Sequence, residues 1–302
     1  MKTLVSIMFA LLSPLSIIAQ EFVPIWNDRE MPHSKGIEVK DSMDNEIIYK
    51  VGTPDLYVFT PSKFIKRKSA VLIIPGGGYA HQAYRLSGFE MAKWFNTLGI
   101  TSFVLKYRLP QSIDNDTCYK VALADAQRAV KYIRANSEQL GIDTGKIGVW
   151  GCSAGGHLAA CLSTIKEEWS KPYDKDDTIS FRPNFAILVS PVISMTEHAH
   201  KSSKDNLLGN TQAKDIADMF SCEKQVGKDT PPTFIIHALN DKTVSCNNSI
   251  MYFESLEKKK IKNCSLHIYP NGGHGINITN NSDITSTWLS LLQKWLSLIS
   301  MI

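Results

Sequence analysis

Residues 146–160 read KIGVWGCSAGGHLAA, and the centre of this stretch, Gly151-Cys152-Ser153-Ala154-Gly155-Gly156, decides the fold. An apolar strand pattern (IGVW) runs into one serine surrounded by small residues, and a helix-forming run (HLAACLSTI) follows at once. One glycine would be enough for a tight bend. The spacing G-x-S-x-G at a strand-to-helix junction describes more, a nucleophile elbow. There the serine sits on a strained turn that lifts its hydroxyl above the sheet. The small side chains of Gly151, Ala154, Gly155 and Gly156 let strand and helix approach closely. The helix N-terminus beyond it favours developing negative charge. The plainer alternative is an ordinary junction with a capping serine, so the rest of the chain must supply partners.

A nucleophilic serine needs a base, and the base needs an orienting acid. On such a sheet their order along the chain is serine, acid, histidine. TFIIHALNDKTV (233–244) places Asp241 just after an apolar strand, and CSLHIYPNGGHGI (264–276) places His274 in a glycine-loosened loop after the next. Both fall at strand C-terminal ends, the edge where α/β sheets carry their sites. An oxyanion hole is the third requirement. VLIIPGGGYAHQAY (71–84) offers one, because glycines straight after a strand leave bare N–H groups facing a reacting carbonyl. The expected donors are the amides of Gly77, Gly78 and Ala154. Tyr79, on the shoulder of that loop, either limits the acyl pocket or simply packs. His157, His237 and His267 read as structural histidines. His198 and His200 read as surface residues within reach of a substrate.

Around these motifs, continuous apolar strands alternate with amphipathic helices, which means a mostly parallel sheet covered on both faces. IIYKV and DLYVFTP are expected to form an antiparallel entry hairpin. SAVLIIP, ITSFVLKYRLP, KIGVWG, FAILVSP, TFIIHAL and CSLHIYP follow as strands, and DITSTWLSLLQKWLSLI closes the chain as a helix. The forty or so residues between FAILVSP and TFIIHAL exceed an ordinary connection. Residues 191–231 are therefore expected to form a small cap insertion in one domain over residues 20–302.

The N-terminus, MKTLVSIMFALLSPLSIIAQ, has Lys2, an apolar run, then Ala19-Gln20. That is the order of a secretory signal, so residues 1–19 are expected to be removed and the protein to be secreted or periplasmic. Ser13, Pro14 and Ser16 interrupt the run, which argues against a membrane anchor. The six cysteines permit disulfides in an exported chain, although Cys152 and Cys161 read better as buried thiols. With no C-x-x-C or His/Cys cluster in the sequence, no metal or other cofactor is expected. A net charge of +4, spread along all 302 residues, lacks the basic face of a nucleic-acid binder. The expected partner is an ester substrate, small or polymeric, with neither nucleic acid nor a membrane once the signal is gone. Oligomeric state has no signature here.

Taken together, IPGGGY, FVLKYRLP, DAQRAVKYIR, GCSAGGHLAA, NLLG, TPPTFIIHALNDKTV and YPNGGHG resemble the α/β-hydrolases of the exported carbohydrate-esterase type. These are the acetyl xylan and bifunctional acetyl/feruloyl esterases, related to the hormone-sensitive-lipase-like enzymes. The resemblance spans about residues 70–275. It implies an α/β-hydrolase fold and cofactor-free hydrolysis of O-acetyl esters on plant polysaccharide. Lipase-like relatives carry His-Gly-Gly-Gly, whereas this chain has Pro75 before its glycines, which favours the xylan-esterase branch. A prolyl-oligopeptidase-type peptidase shares the elbow and the D-x-x-V turn but usually carries a large gating domain. A binding protein on a dead hydrolase scaffold would not need the triad order or the oxyanion loop.

Overall fold

The apolar runs lie side by side in one twisted sheet, because strands without a polar face can be satisfied only when both faces are covered. In the computed structural model, residues 22–26, 31–170, 178–211, 213–276 and 284–302 are described. The expected signal, residues 1–19, lies outside them. Strands β1 (Phe22–Pro24), β2 (Ser42–Asp44), β3 (Ile47–Lys50), β4 (Asp55–Phe59) and β5 (Ala70–Ile74) come first. They are followed by β6 (Thr101–Lys106), β7 (Ile147–Cys152), β8 (Phe185–Val189), β9 (Thr233–Ala238) and β10 (Ser265–Tyr269). The main sheet has eight strands in the order β1-β4-β6-β5-β7-β8-β9-β10. Only the β1–β4 and β4–β6 pairings are antiparallel.

The expected entry hairpin is not formed. β3 pairs instead with β2 in a separate two-stranded ribbon, while β4 joins β1 and β6. The chain between β3 and β4 is turned away by Gly52, whose N–H donates to Asp41 Oδ1 at 2.7 Å. Ile47–Lys50 is therefore held as an outlying ribbon rather than folded back onto β4.

Strand alternation sorts the core into two layers. Ala70, Leu72 and Ile74 of β5 face one layer, and Val71 and Ile73 the other. The first layer is closed by α2 (Cys118–Ala135), α4 (Ser153–Thr164) and α8 (Asn247–Lys258), through residues such as Val130, Leu158 and Leu256. The second is closed by α1 (Glu90–Thr97) and α9 (Trp288–Leu298), through Phe95 and Trp288 among others. α3 (Ser137–Leu140) ends at Gly141 in the left-handed region. Between β8 and β9 lie α5 (Lys201–Leu208), α6 (Lys214–Met219) and α7 (Cys222–Gln225). Arg108, just after β6, is buried against Asp125 of α2, with Nη2 2.7 Å from Oδ1, and Trp26 Nε1 donates to the same carboxylate. This closed polar cluster explains why YRLP and DAQR occur together. Among the described residues, no helix is long and apolar enough to cross a membrane.

Candidate active site

β7 ends at Cys152 and α4 begins at Ser153, so the turn between them has no loop residues. Ser153 takes φ +54°, a left-handed conformation that is costly for a residue with a Cβ. The approach is tight enough that a Cβ on Gly151 would stand 2.2 Å from the Gly155 carbonyl oxygen. Only glycine fits there, which accounts for the first position of the motif.

The loops after β9 and β10 bring the two remaining residues of the proposed triad to the serine. Ser153 Oγ is 2.9 Å from His274 Nε2, and His274 Nδ1 is 2.7 Å from Asp241 Oδ2. Asp241 Oδ1 accepts the backbone N–H groups of Thr243 (2.8 Å) and Val244 (3.0 Å). Asp241 Oδ2 accepts a second imidazole as well, that of His237, at 3.1 Å. Burial alone would raise the Asp241 pKa, but hydrogen bonds from His237, His274 and Val244 outweigh it and hold the carboxyl well below the usual carboxylate range. An ionised acid thus faces an imidazole that faces a serine hydroxyl. This is the geometry that general-base activation of a nucleophile requires.

Gly77 and Gly78 line the same pocket as Ser153 and His274, and Ala154 follows the serine as the second residue of α4. Gly77 adopts φ +139°, and a Cβ there would stand 2.2 Å from the His81 carbonyl oxygen. Its own carbonyl accepts the N–H groups of Ala80 and His81, which curls the loop. Asn206, the first residue of NLLG on α5, donates from Nδ2 to the Gly78 carbonyl at 2.8 Å. NLLG stands out in the sequence as a motif without a role. Its asparagine ties the glycine loop to the segment between β8 and β9, a link made across 128 residues.

Tyr79, considered as a wall of the acyl pocket, does not line the pocket above Ser153 but borders a neighbouring cavity. With φ +61° the residue turns its side chain into the core, where it is 1% exposed and its hydroxyl lies 2.7 Å from His157 Nδ1. His157 Nε2 in turn meets the Phe220 carbonyl at 2.8 Å, so Nε2 carries the proton and the Tyr79 hydroxyl donates to Nδ1. The structure places His200 in the pocket wall, whereas the His198 ring reaches Asn247 at 3.4 Å, away from it. Burial, together with the nearby His274, lowers the His200 pKa.

Folding also gathers a His/Cys cluster that the sequence reading did not foresee. Ligand atoms of His157, Cys161 and Cys222 lie within 4.8 Å of one another. Both His157 nitrogens are already hydrogen-bonded, to the Tyr79 hydroxyl and the Phe220 carbonyl, and burial pushes the Cys222 thiol well up. All six cysteines are free thiols, and Cys161, Cys222 and Cys246 are buried.

The pocket above Ser153 has a volume of about 500 Å³, with Leu86, Met91, Trp150, Val189 and Ile276 on its apolar sides. A mostly parallel, doubly covered sheet with a serine at this elbow defines an α/β-hydrolase. The chain belongs to the BD-FAE family, which it matches over residues 55–256. It is 34% identical over 235 residues to the acetylxylan esterase of Xylanibacter ruminicola, covering 76% of this chain and 45% of that protein. It is 32% identical over 248 residues to endo-1,4-beta-xylanase B of Butyrivibrio fibrisolvens, covering 81% of this chain and 38% of that protein. The chain thus spans less than half the length of either relative. Among solved structures, it superposes on an acetyl ester-xyloside bifunctional hydrolase from Caldicellulosiruptor lactoaceticus with a TM-score of 0.81 and 31% identity. That match covers 94% of this chain and 97% of the other. Esterase 2 of Thermogutta terrifontis gives a TM-score of 0.70 at 25% identity, covering 90% and 97%. The chain is thus an α/β-hydrolase-fold member of the BD-FAE family, similar in sequence and structure to carbohydrate esterases.

Proposed function

We propose that the protein is an exported serine esterase that removes O-acetyl groups from xylan or a related plant polysaccharide. The observation that carries this reading is the unbroken hydrogen-bond chain from Ser153 through His274 to Asp241 at the base of the pocket. The named activities of its relatives supply the substrate class. The order Lys2, apolar run, Ala19-Gln20 supports export.

In the proposed mechanism the hydroxyl of Ser153 attacks the ester carbonyl while His274 Nε2 takes its proton. Asp241 holds the imidazole in the required tautomer and stabilises the imidazolium. The tetrahedral oxyanion is received by the N–H groups of Gly77, Gly78 and Ala154, fixed in place before the reaction begins. Collapse of this intermediate expels the sugar hydroxyl, which takes the proton from His274. A water deprotonated by His274 then attacks the acyl-enzyme, the bond to Ser153 Oγ breaks as His274 returns the proton to it, and acetate is released.

The pocket favours a second reading on one point. Since Tyr79 does not narrow it, an apolar space of about 500 Å³ exceeds what an acetyl group fills. A larger acyl group such as feruloyl therefore fits the same machinery. Each methylene in an apolar pocket contributes only about 1–3 kcal/mol, so acyl preference is graded rather than absolute. The test is acetate release from acetylated xylan, set beside p-nitrophenyl acetate, butyrate and octanoate and methyl ferulate, with Ser153→Ala as the blank. Acetyl esters are expected to be cleaved with the highest kcat/KM. Preference for octanoate would reject the carbohydrate reading, and methyl ferulate cleaved as well as acetate would make the enzyme bifunctional.

A further inference from the structure

The β2–β3 ribbon stands outside the main sheet, yet it is stitched to the glycine loop. Ile48 and Gln82 exchange both backbone hydrogen bonds at 2.9 Å, an isolated antiparallel bridge. Strand alternation then fixes what the ribbon shows. Ile48 turns inward at 3% exposure and Tyr49 outward at 47%. The Tyr49 ring lies with its centroid 6.0 Å from that of His81, and His81 lines the catalytic pocket. Beyond this pair a second cavity of about 360 Å³ opens, and Ala80 belongs to the walls of both. A path therefore leads from Ser153 across Ala80 and His81 to Tyr49.

The lining of this second cavity is mixed in a particular way. Tyr49 and Ile113, the latter 68% exposed, offer apolar surface. Glu38, Lys50, Gln111 and Ser112 offer donors and acceptors of both signs. Val39, Val51 and Leu109 extend the apolar wall, charged and amide groups stand among them, and a polyanion would meet Glu38 beside Lys40 and Lys50. A pyranose has an apolar face of C–H groups and a rim of hydroxyls, and an exposed ring flanked by hydrogen-bonding side chains matches both parts.

We propose that this cavity is a subsite for the sugar chain that carries the ester, with Tyr49 as its stacking platform; the inference rests on the polysaccharide reading above. Binding energy gained at such a distance from the reacting carbonyl orients the scissile ester, so it is expressed only with substrates long enough to reach it. The bridge between Ile48 and Gln82 is made by backbone groups, so the ribbon is held beside the glycine loop without the Tyr49 side chain.

The test compares kcat/KM for acetylated xylo-oligosaccharides of increasing length, and for p-nitrophenyl acetate, in the wild type, Tyr49→Ala and Tyr49→Phe. Longer oligosaccharides are expected to be better substrates of the wild type. Tyr49→Ala is expected to lose roughly tenfold on them while p-nitrophenyl acetate hydrolysis is unchanged, and Tyr49→Phe, which keeps the ring, to retain most of the activity. If acetate is released but neither chain length nor Tyr49→Ala alters the rate, the subsite is wrong and the esterase reading stands. Equal loss on both substrates would mean that Tyr49 is only structural, and would overturn the subsite as well. If p-nitrophenyl acetate is cleaved and no acetylated oligosaccharide is, the polysaccharide reading fails and takes the subsite with it.

Discussion

His237 donates to the same carboxylate oxygen of Asp241 that faces His274, with Nε2 3.1 Å from Oδ2. The Val244 carbonyl is 3.0 Å from the same nitrogen, and two acceptors there require the proton on Nε2. Nδ1 is then free to accept the Ser249 hydroxyl at 2.8 Å. The ring is fully buried and every polar position is used. His237, near the end of β9, is therefore more than the structural histidine that its sequence position suggests. It holds the acid of the proposed triad from behind.

Removing that support is expected to lower kcat with little change in KM. For His237→Ala the loss should be about ten- to a hundredfold, the size of a small misplacement of a reacting group. His237→Gln, which keeps a side-chain N–H, should recover part of it. Steady-state kinetics on p-nitrophenyl acetate would check this, and unchanged kcat in a folded His237→Ala variant would count against a positioning role.

Ser153→Ala is expected to abolish ester hydrolysis by a thousandfold or more, as for other triad nucleophiles. The methyl group fits the elbow, so the melting temperature should stay close to that of the wild type. Near-full activity in a pure, folded variant would show that another group is the nucleophile.

Asp241 carries a pH signature. Its folded pKa is depressed, so ionised Asp241 stabilises the fold above the unfolded value of about 4, and this stabilisation is lost as pH falls through the folded value. Asp241→Asn should therefore weaken the dependence of the melting temperature on acid pH. It should also lower kcat by several orders of magnitude, by presenting the wrong partner to the imidazole. A melting curve of Asp241→Asn that tracks the wild type throughout the acid range would contradict the assignment.

Asn206→Ala frees the Gly78 carbonyl and should loosen the glycine loop without touching the serine, histidine or aspartate. The expected cost is roughly tenfold in kcat, less than the hundredfold or more of a deleted oxyanion donor. Gly77→Ala should be worse, since φ +139° excludes a side chain and its Cβ would strike the His81 carbonyl. Equal activities of wild type and Asn206→Ala would show that the loop holds its shape unaided.

The EDTA response separates the His157–Cys161–Cys222 cluster from a metal site. Both His157 nitrogens are engaged, so prolonged chelation is expected to leave activity and melting temperature unchanged. Loss of either, restored by a divalent ion, would assign the cluster to a metal.

What the sequence determined by itself was whatever is set by spacing along one element. Strand-to-helix alternation defined the layered sheet, because periodicity reports which faces must be buried. G-x-S-x-G and the glycines after β5 marked close backbone approaches, since only the smallest residues permit them. Asp241 and His274 could be found because sheet topology places loops after consecutive strands along one edge. Tertiary structure alone decided contacts between segments distant along the chain. Tyr79 turned inward to His157 because a positive φ reversed it, and nothing local in the sequence announces that reversal. Asn206 met Gly78, and Cys222 met Cys161, across gaps that no periodicity records. The β2–β3 ribbon paired with itself and with Gln82 rather than with β4, because strand pairing depends on which partner's edge is free. His237 reads as structural from its place near a strand end before the acid. Its second role follows from a four-residue separation that folding closes to one hydrogen bond with Asp241.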